Sequence, residues 1–293
     1  MSHPLFEIVT TTAGAVSIRN KKLNEIMHNP VGPMREANEL YIEQSNLKWH
    51  LTQDLTTELV IYDVGLGAAA NAIATLQAVK NSQRPVRLVS FEIDLELLRF
   101  ALEHSTQLGY LSGYEDIVKT ILADRYYEHE NIKWQLHHGD FLDCIEDVNH
   151  KCHLIYYDPY SPKVNEAMWT TECFTKLRAK CQPRAMFYNY SQATAIRAAL
   201  LEAGFYVGFG KATGLKNHTT QAATMLKDLK SPLDQRWLER WTRSDSQLPI
   251  GCQDASRLKN FILNHEQFTW PFNLGASAQN NWANRSLSRG LLK

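Results

Sequence analysis

The sequence predicts an α/β fold with a doubly wound, mostly parallel sheet and an antiparallel final strand. From Glu58 onward, short apolar runs alternate with stretches of helical periodicity, and the first run, 59–62, is typical of a buried strand. This alternation indicates parallel strands with helices on both faces of the sheet. Glycine or acidic residues follow several of these strands. Because ligands bind outside the carboxyl ends of such strands, we expect a binding site at that edge.

The other elements of this fold are predicted from the same periodicity. Strands are expected at 86–91, 132–136, 153–157, 185–190, 205–209 and 219–225, the last two as an antiparallel pair. Helices are expected at 68–80, 95–108, 114–127, 171–180 and 193–203, and Gly204 closes the last of them.

The periodicity also divides the chain into three parts. In the first part, hairpin strands are expected at 6–11 and 15–19, and one amphipathic helix at 34–47 has Pro33 in its first turn. Apolar periodicity fades after Pro249. The predicted parts are an N-terminal extension at 1–50, the main domain at 51–232, and a C-terminal helix with a poorly ordered tail at 233–293.

The composition excludes several classes of protein. Hydrophobic residues make up 44% and charged residues 21% of the 293 residues, which is enough for a folded core. No apolar run approaches the roughly 20 residues that span a bilayer, and no secretory signal precedes the fold. We therefore expect a cytoplasmic protein that does not contact membranes. The 11 histidines lack metal-ligand spacing, so no metal is expected. A net charge of zero means that nucleic-acid binding would need a local basic patch.

The first expected ligand contact is the loop Asp63-Val64-Gly65-Leu66-Gly67, which follows the first strand of the main domain. Gly65 and Gly67 allow a tight turn and a close approach of the backbone to a ligand. Ala70 stands where the dinucleotide-binding fingerprint has its third glycine, so the loop need not hold a pyrophosphate. Taken alone, the segment is also compatible with an ordinary glycine turn.

Carboxylates follow the next two strands. Glu92 lies 25 residues beyond Gly67, a spacing at which an acid accepts hydrogen bonds from both ribose hydroxyls of a nucleotide. Ile93 adjoins it in the same predicted contact, and Asp94 is assigned to helix capping. After the third strand, Asp140 is placed to accept from an adenine amino group while Phe141 packs on the ring. Each acid is alternatively a helix cap.

The fourth strand ends in Tyr156-Tyr157-Asp158-Pro159-Tyr160-Ser161-Pro162. Two prolines fix the backbone around Asp158, and the aromatic rings suit a flat substrate. The alternative is a rigid surface turn. Four such features at four successive strand ends make a stronger case for a nucleoside-binding enzyme than any one of them.

These residues carry a resemblance to a known family. The chain resembles the methyltransferase domain of the MnmC-like family, which acts in the biosynthesis of 5-methylaminomethyl-2-thiouridine in tRNA. The resemblance covers roughly residues 16–249. It rests on Gly32-Pro33-Met34-Arg35-Glu36-Ala37-Asn38, the glycine loop, Phe91-Glu92, Gly139-Asp140-Phe141, Asp158-Pro159-Tyr160-Ser161-Pro162-Lys163 with Asn165 and Trp169, Tyr190-Ser191, and Gly214-Leu215-Lys216.

The resemblance implies a Rossmann-like, class I methyltransferase that uses S-adenosyl-L-methionine to methylate an aminomethyl group on the wobble uridine of tRNA. Glu92 and Asp140 would hold ribose and adenine, and Asp158 would face the methyl sulfonium and the substrate amine. Many family members carry a flavin-dependent oxidase domain as well. This sequence contains no second glycine fingerprint, so neither FAD nor an oxidase step is expected.

The catalytic roles are predicted from the chemistry of amine methylation. The amine must be neutral to attack, so Asp158 either accepts its proton or only orients it, since a nearby anion also raises the pKa of an amine. Tyr160 is expected to stack on the base. Phosphate contacts are predicted for Lys163, Lys211, Lys216, Arg236, Arg240 and Arg243, although the arginines also suit a solvated helix face.

Two other functions remain compatible with the sequence. The first is a methyltransferase of the same fold that acts on a small molecule or a protein. The second is a nucleotide-binding protein without catalysis. The residues predict no particular oligomeric state.

Overall fold

The computed structural model describes residues 5–27, 30–213, 216–245 and 247–269. Its strands are β1 (Phe6–Thr10), β2 (Val16–Asn20), β3 (Glu25–Ile26), β4 (Leu59–Val64), β5 (Val86–Glu92), β6 (Tyr126–His129), β7 (Ile132–His138), β8 (Cys152–Tyr157), β9 (Cys181–Asn189), β10 (Tyr206–Thr213) and β11 (Lys216–Ala223). Its helices are α1 (Pro33–Ala37), α2 (Leu47–Thr52), α3 (Ala70–Val79), α4 (Glu96–Glu103), α5 (Ser105–Leu108), α6 (Glu115–Asp124), α7 (Phe141–Cys144), α8 (Thr171–Ala179), α9 (Thr194–Glu202), α10 (Gln235–Trp241), α11 (Ala255–Leu263) and α12 (Glu266–Thr269).

The main sheet has eight strands in the order β10-β11-β9-β8-β4-β5-β7-β6. The five central strands, β9, β8, β4, β5 and β7, are parallel, and β11 runs antiparallel between β9 and β10. This arrangement confirms the predicted mostly parallel α/β fold and its antiparallel final strand. The other edge carries a further antiparallel strand, β6, which the sequence analysis did not predict.

Strand β4 forms the centre of the molecule. All six of its residues are buried, because helices cover both faces of the sheet. It pairs in parallel with β5 on one side and β8 on the other. The chain builds β5 and β7 outward from β4 in one direction and then β8 and β9 in the other, so the strand order reverses between β4 and β8. Their carboxyl ends therefore form the switch point at which doubly wound folds bind ligands.

A small second sheet covers the entry to that edge. The predicted hairpin is present as β1 and β2, and the short strand β3 extends it to three antiparallel strands. Phe6 of β1 packs on Phe100 of α4, with ring centroids 5.6 Å apart. The N-terminal sheet is thus anchored to a helix of the main domain, and its β3 end is left beside the strand ends.

The prediction of one regular helix at 34–47 is wrong. The chain forms α1, continues as a π-helix over Asn38–Glu43, and breaks at Asn46, whose φ of 54° is left-handed, before α2 begins. A π-helical turn inserts an extra residue and rotates the following side chains, and such turns are frequent at functional sites. Here the turn directs Tyr41 to the end of β8, where its hydroxyl donates to the Tyr157 carbonyl at 3.3 Å.

Two other predicted helices are also shorter than expected. The segment 95–108 divides into α4 and α5. The helix is interrupted at His104, whose ring stacks on Phe100. The segment 114–127 ends at Asp124, because Arg125 has a left-handed φ of 60°. Tyr126 then begins β6, where pairing with β7 overrides the helical periodicity.

The C-terminal part contains more structure than the single helix predicted from its sequence. Besides α10, the chain forms α11 and α12, which pack against the main domain. The Gln267 side chain accepts from the Val207 N–H at 2.8 Å and donates to the Val207 carbonyl at 2.7 Å, in the manner of a neighbouring strand. The poorly ordered tail predicted from residue 276 lies outside the described residues, and the division of the chain at residues 50 and 232 remains a prediction. No helix in the described ranges is long and apolar enough to cross a bilayer.

The packing of α11 predicts a measurable contribution to stability. Leu258 is 0% exposed, whereas Leu263 on the same helix is 40% exposed. Leu258→Ala should lower the free energy of unfolding by about 2 to 5 kcal/mol, because it removes buried apolar area and leaves a cavity. Leu263→Ala is the matched control and should cost far less. Urea unfolding followed by circular dichroism measures both, and equal effects would show that α11 does not pack as described.

Candidate active site

A cavity of about 860 Å³ opens at the carboxyl ends of β4, β5, β7 and β8. This volume is within the range of pockets that bind cofactors and small substrates. The strand ends form its floor, and residues of the N-terminal sheet and of α1, among them Glu25, Met27 and Glu36, form its other wall. The predicted residues Gly65, Gly67, Glu92, Ile93, Asp140, Phe141, Asp158 and Tyr160 all line this cavity. Asp63 is the predicted site residue that does not.

The glycine loop is held against the end of β8. The N–H groups of Gly65 and Leu66 both donate to the Phe91 carbonyl at 3.1 Å, which turns the chain sharply after β4. A Cβ on Gly65 would lie 2.6 Å from the carbonyl oxygen of Asp158, closer than real Cβ contacts permit, and the φ of Gly65 is +88°. Glycine is therefore required here for the approach of one loop to the other. This requirement holds whether or not a ligand is bound.

Glu92 connects the loop after β4 with the end of β5. Its carboxylate accepts from the Gly67 N–H at 2.8 Å, from the Ile93 N–H at 2.9 Å and from the Asp94 N–H at 3.0 Å. Burial raises the pKa of Glu92, and these three donors oppose that shift. A carboxylate has about four acceptor positions, so one remains for a ligand. To accept from both ribose hydroxyls, as predicted, Glu92 would have to give up one of its hydrogen bonds to the backbone N–H groups.

The residues beside Glu92 form an apolar and polar surface suited to a flat ring. Ile93 is 58% exposed, which is unusual for an apolar side chain of this size, and it lines the cavity. Phe141 is buried and packs edge-on against Phe91, with ring centroids 5.0 Å apart. Asp140 caps α7 through the Leu142 N–H at 2.8 Å. The alternative capping role of Asp140 is thus present, and its other carboxylate oxygen, which accepts no hydrogen bond from the described residues, still borders the cavity.

Asp158 is fixed on the opposite side of the glycine loop. Its N–H donates to the Val64 carbonyl at 2.8 Å, and its Oδ2 accepts from the Asn71 amide at 2.8 Å. The Tyr41 phenol, whose hydroxyl donates to the adjacent Tyr157 carbonyl at 3.3 Å, lies near this carboxylate; burial raises the pKa of Tyr41, and the charge of Asp158 raises it further. The first turn of α3 therefore holds the Asp158 carboxylate at the switch point, beside the π-helix.

The loop after Asp158 is pinned by aromatic side chains. The Trp169 indole N–H donates to the Tyr160 carbonyl at 2.8 Å, and the Tyr190 hydroxyl donates to the Pro159 carbonyl at 3.0 Å. The Tyr160 hydroxyl contacts the sulfur of Met27 at 3.7 Å, which joins the loop to the N-terminal sheet. Tyr160 thus stands at the junction of the two walls, with its ring bordering the cavity.

Asp63 lies behind the glycine loop, inside the sheet. It is fully buried, and its Oδ2 accepts from the Ser90 hydroxyl at 2.8 Å, while Ser90 in turn accepts from the Trp134 indole N–H at 2.9 Å. Among the described residues, its Oδ1 has no hydrogen-bond partner. Burial raises the pKa of Asp63 to about 7, with Asp158 and Glu92 adding to the shift. A direct contact of Asp63 with a ligand is therefore not supported by its position.

Several residues of the site were not predicted from the sequence. Asn71 was assigned no role, and its position in the first turn of α3, directly after the glycine loop, was the available signal that it lies near the strand ends. Tyr41 and Glu36 were assigned to an amphipathic helix, and a π-helical turn cannot be predicted from apolar spacing. The residues brought to the cavity or its rim without having been assigned a role are Glu25, Glu36, Tyr41, Asn71 and Tyr190.

The charges around the cavity have one dominant sign. Six carboxylates line it, against a single cationic side chain among the described residues, Lys22. The carboxylates are Glu25, Glu36, Glu92, Asp94, Asp140 and Asp158. The predicted phosphate contacts Lys163, Lys211, Arg236, Arg240 and Arg243 are exposed and lie outside the lining. The cavity therefore favours positively charged ligands. No group of three or more histidine, cysteine or acidic side chains in the described residues is arranged to hold a metal ion.

Comparison with known proteins gives a consistent result. The family described as S-adenosyl-L-methionine-dependent methyltransferase matches residues 112–225. Among solved structures, MnmC2 from Aquifex aeolicus superposes with a TM-score of 0.69 at 23% identity, over 89% of this chain and 84% of that chain. At this identity, the likeness shows the fold.

Two relatives align over most of the chain. A protein of Methanocaldococcus jannaschii without an assigned function is 25% identical over 222 residues, which are 73% of this chain and 58% of the relative. The tRNA 5-methylaminomethyl-2-thiouridine biosynthesis bifunctional protein MnmC of Burkholderia vietnamiensis is 26% identical over 250 residues, 79% of this chain and 36% of the relative. The chain thus spans less than two thirds of the length of either relative.

The family match and the class I fold define an S-adenosyl-L-methionine-dependent methyltransferase. Within that class, the chain is similar to the MnmC proteins, in agreement with the resemblance of its motifs.

The residues of the cavity fit the cofactor of this class. S-adenosyl-L-methionine supplies a methyl group on a positively charged sulfur, and it also carries an ammonium group. A wall of carboxylates is complementary to both charges. We propose that Glu92 and Asp140 hold the ribose and adenine, that Ile93 and Phe141 pack on the ring, and that Gly65 and Gly67 shape the adjoining backbone.

The contact of Gly65 with Asp158 predicts a specific loss of function. Gly65→Ala should abolish methyl transfer and weaken S-adenosyl-L-methionine binding, because the new Cβ would displace the Asp158 backbone. Gly14→Ala is a matched control, since Gly14 also has a positive φ, +82°, but nothing lies within 4 Å of its added Cβ. Calorimetry with the cofactor measures the effect. Similar affinities for the two variants would contradict the described contact.

The raised pKa of Asp63 predicts a pH-dependent stability. Between its ordinary value of 3.8 and its folded value of about 7, the folded chain binds a proton that the unfolded chain lacks, so stability falls as pH rises. The contribution should fall by roughly 1.4 kcal/mol per pH unit in this window and stay constant above it. Urea unfolding at pH 5.0 and 6.5 should show this slope as the difference between the wild-type chain and Asp63→Asn. Parallel pH dependences would mean that Asp63 is ionised throughout.

Proposed function

We propose that this enzyme N-methylates an aminomethyl group on the wobble uridine of tRNA. The observation that carries the proposal is the Asp158 carboxylate, fixed beside the cofactor loop by Asn71 at 2.8 Å. A fixed anion at this position attracts and orients a primary amine, which is mostly protonated at neutral pH. The name of the MnmC relative, a tRNA-modification protein, supports tRNA as the carrier of that amine.

The arrangement performs the reaction mainly by alignment. The amine nitrogen attacks the methyl carbon in line with the carbon–sulfur bond, and the electron pair of that bond stays on sulfur. Because the methyl is already activated, holding the two groups in a reactive geometry supplies much of the rate enhancement. Asp158 orients the amine, and the ring of Tyr160 borders the same space and is placed to pack on a base.

One observation favours a second candidate, a small cationic amine as the acceptor. Lys22 is the sole cationic side chain among the described residues that line the cavity, and the N-terminal sheet narrows its opening. A polyanionic tRNA would need to dock through the exposed lysines and arginines outside the cavity. This candidate shares every cofactor contact and differs only in the acceptor. For either acceptor, a cytoplasmic location remains the prediction from the sequence.

A transfer assay distinguishes the acceptors and tests Asp158. With tritiated S-adenosyl-L-methionine, the wild-type enzyme should label tRNA that carries a free aminomethyl group and leave tRNA without this group unlabelled. Asp158→Asn should reduce turnover by about 100-fold, because the amine loses its orientation. Its affinity for the cofactor, measured by calorimetry, should change little.

Asp147→Asn is the control, since Asp147 is exposed and lies outside the lining of the cavity. Labelling of small diamines without labelling of tRNA would select the second candidate. Normal turnover by Asp158→Asn would remove Asp158 from the mechanism.

A further inference from the structure

A second acidic residue lines the same cavity as Asp158. It is Glu36, which lies in α1. Burial and then Asp158 raise the pKa of the phenols Tyr41 and Tyr190, and the charge of Glu36 raises both further. The two carboxylates therefore flank the same pair of hydroxyl groups.

The position of Glu36 is fixed by the start of its helix. Gly32 and Pro33 precede the first turn, and the Glu36 N–H donates to the Gly32 carbonyl at 3.1 Å. The following π-helix places Tyr41 near Asp158. One continuous segment therefore supplies both Glu36 and a neighbour of the Asp158 carboxylate. This segment lies outside residues 112–225, to which the family match is confined.

The hydrogen bond of the Asp158 carboxylate makes it a poor proton acceptor. The Asn71 amide donates to its Oδ2 at 2.8 Å. Donors to a carboxylate stabilise its ionised form. Asp158 is thus suited to remain an anion and orient the amine, which leaves the removal of the amine proton to another group.

We propose that Glu36 is the general base that deprotonates the acceptor amine, while Asp158 stays ionised and orients it. The inference rests on the proposed N-methylation and adds a catalytic residue to it. Glu36 takes one proton from the ammonium, giving a neutral amine and a neutral carboxylic acid. The nitrogen then forms its bond to the methyl carbon as the carbon–sulfur bond breaks. The product leaves as a secondary ammonium ion, and Glu36 returns its proton to solvent.

Ionisable groups from four other elements lie near Glu36. Tyr41 follows it in the π-helix, and Glu25 of β3, Asp158 of the loop after β8 and Tyr190 at the end of β9 line the same cavity. Glu25 and Asp158 are carboxylates, and nearby anions favour the protonated form of a carboxyl group. The neighbouring Arg35 does not oppose this, because its guanidinium pairs with Glu39 at 2.7 Å.

The test compares pH–rate profiles of the full chain for wild type, Glu36→Gln and Glu43→Gln. The acceptor is tRNA with a free aminomethyl group, or the small amine if only that is methylated. At pH 7, Glu36→Gln should lower kcat by about 100-fold or more, the usual contribution of a general base. Its rate should rise with pH until the amine is neutral in solution, approaching the wild-type rate. Glu43→Gln, an exposed position in the following π-helix and outside the cavity lining, should follow the wild-type profile.

Cofactor binding and the wild-type activity separate the possible failures. Calorimetry should give Glu36→Gln the wild-type affinity for S-adenosyl-L-methionine, which also shows that the variant is folded. A Glu36→Gln profile parallel to that of wild type, or one that high pH does not rescue, overturns the role of Glu36. A wild-type enzyme that methylates no amine refutes the proposed function itself.

Discussion

The active site depends on the contact between two backbone loops at the centre of the sheet. Gly65 approaches the carbonyl of Asp158 so closely that a methyl group would not fit between them, and the Asp158 N–H donates to Val64 in return. The contact exists because β4 and β8 are neighbouring parallel strands on either side of the switch point. It brings the first turn of α3 within reach of Asp158. The glycine loop and the loop after β8, which are far apart in the chain, are thereby held as one rigid unit.

The sequence predicted those parts of the site that follow strands with strong apolar patterns. Glu92, Asp140 and Asp158 all border the cavity because the carboxyl ends of parallel strands meet at one edge, a rule that needs no knowledge of side-chain packing. The same rule placed Asp63 in the ligand-binding loop, but β4 is longer than its apolar run. Asp63 is therefore the last but one residue of a buried strand. The pleat of the strand then turns it away from the loop.

The elements that escaped prediction are those whose conformation depends on tertiary contacts. The π-helix is stabilised by contacts of Tyr41 and Gln44 with distant parts of the chain. The Gln44 side chain, for example, accepts from both the Lys211 N–H and the Thr219 hydroxyl. Strand β6 exists because β7 offers an open edge, and α12 is held by the hydrogen bonds of one glutamine. Local periodicity carries no signal for these choices, since the partners are distant in the chain. Residues such as Glu36 were therefore placed on a helix without an indication of what they face.

The amide of Gln267 also has a consequence for how copies of the chain meet. Strand β10 ends the main sheet, and an edge strand normally offers its free N–H and C=O groups to any other extended chain. Here Gln267 bonds both backbone groups of Val207, the Leu233 N–H donates to the same Val207 carbonyl, and the Ser231 carbonyl accepts from the Phe209 N–H. The edge of the sheet is thus covered by a side chain and a loop from the C-terminal part of the chain. Removal of α12 would convert a finished edge into a template for intermolecular strand pairing, so this short helix protects against aggregation.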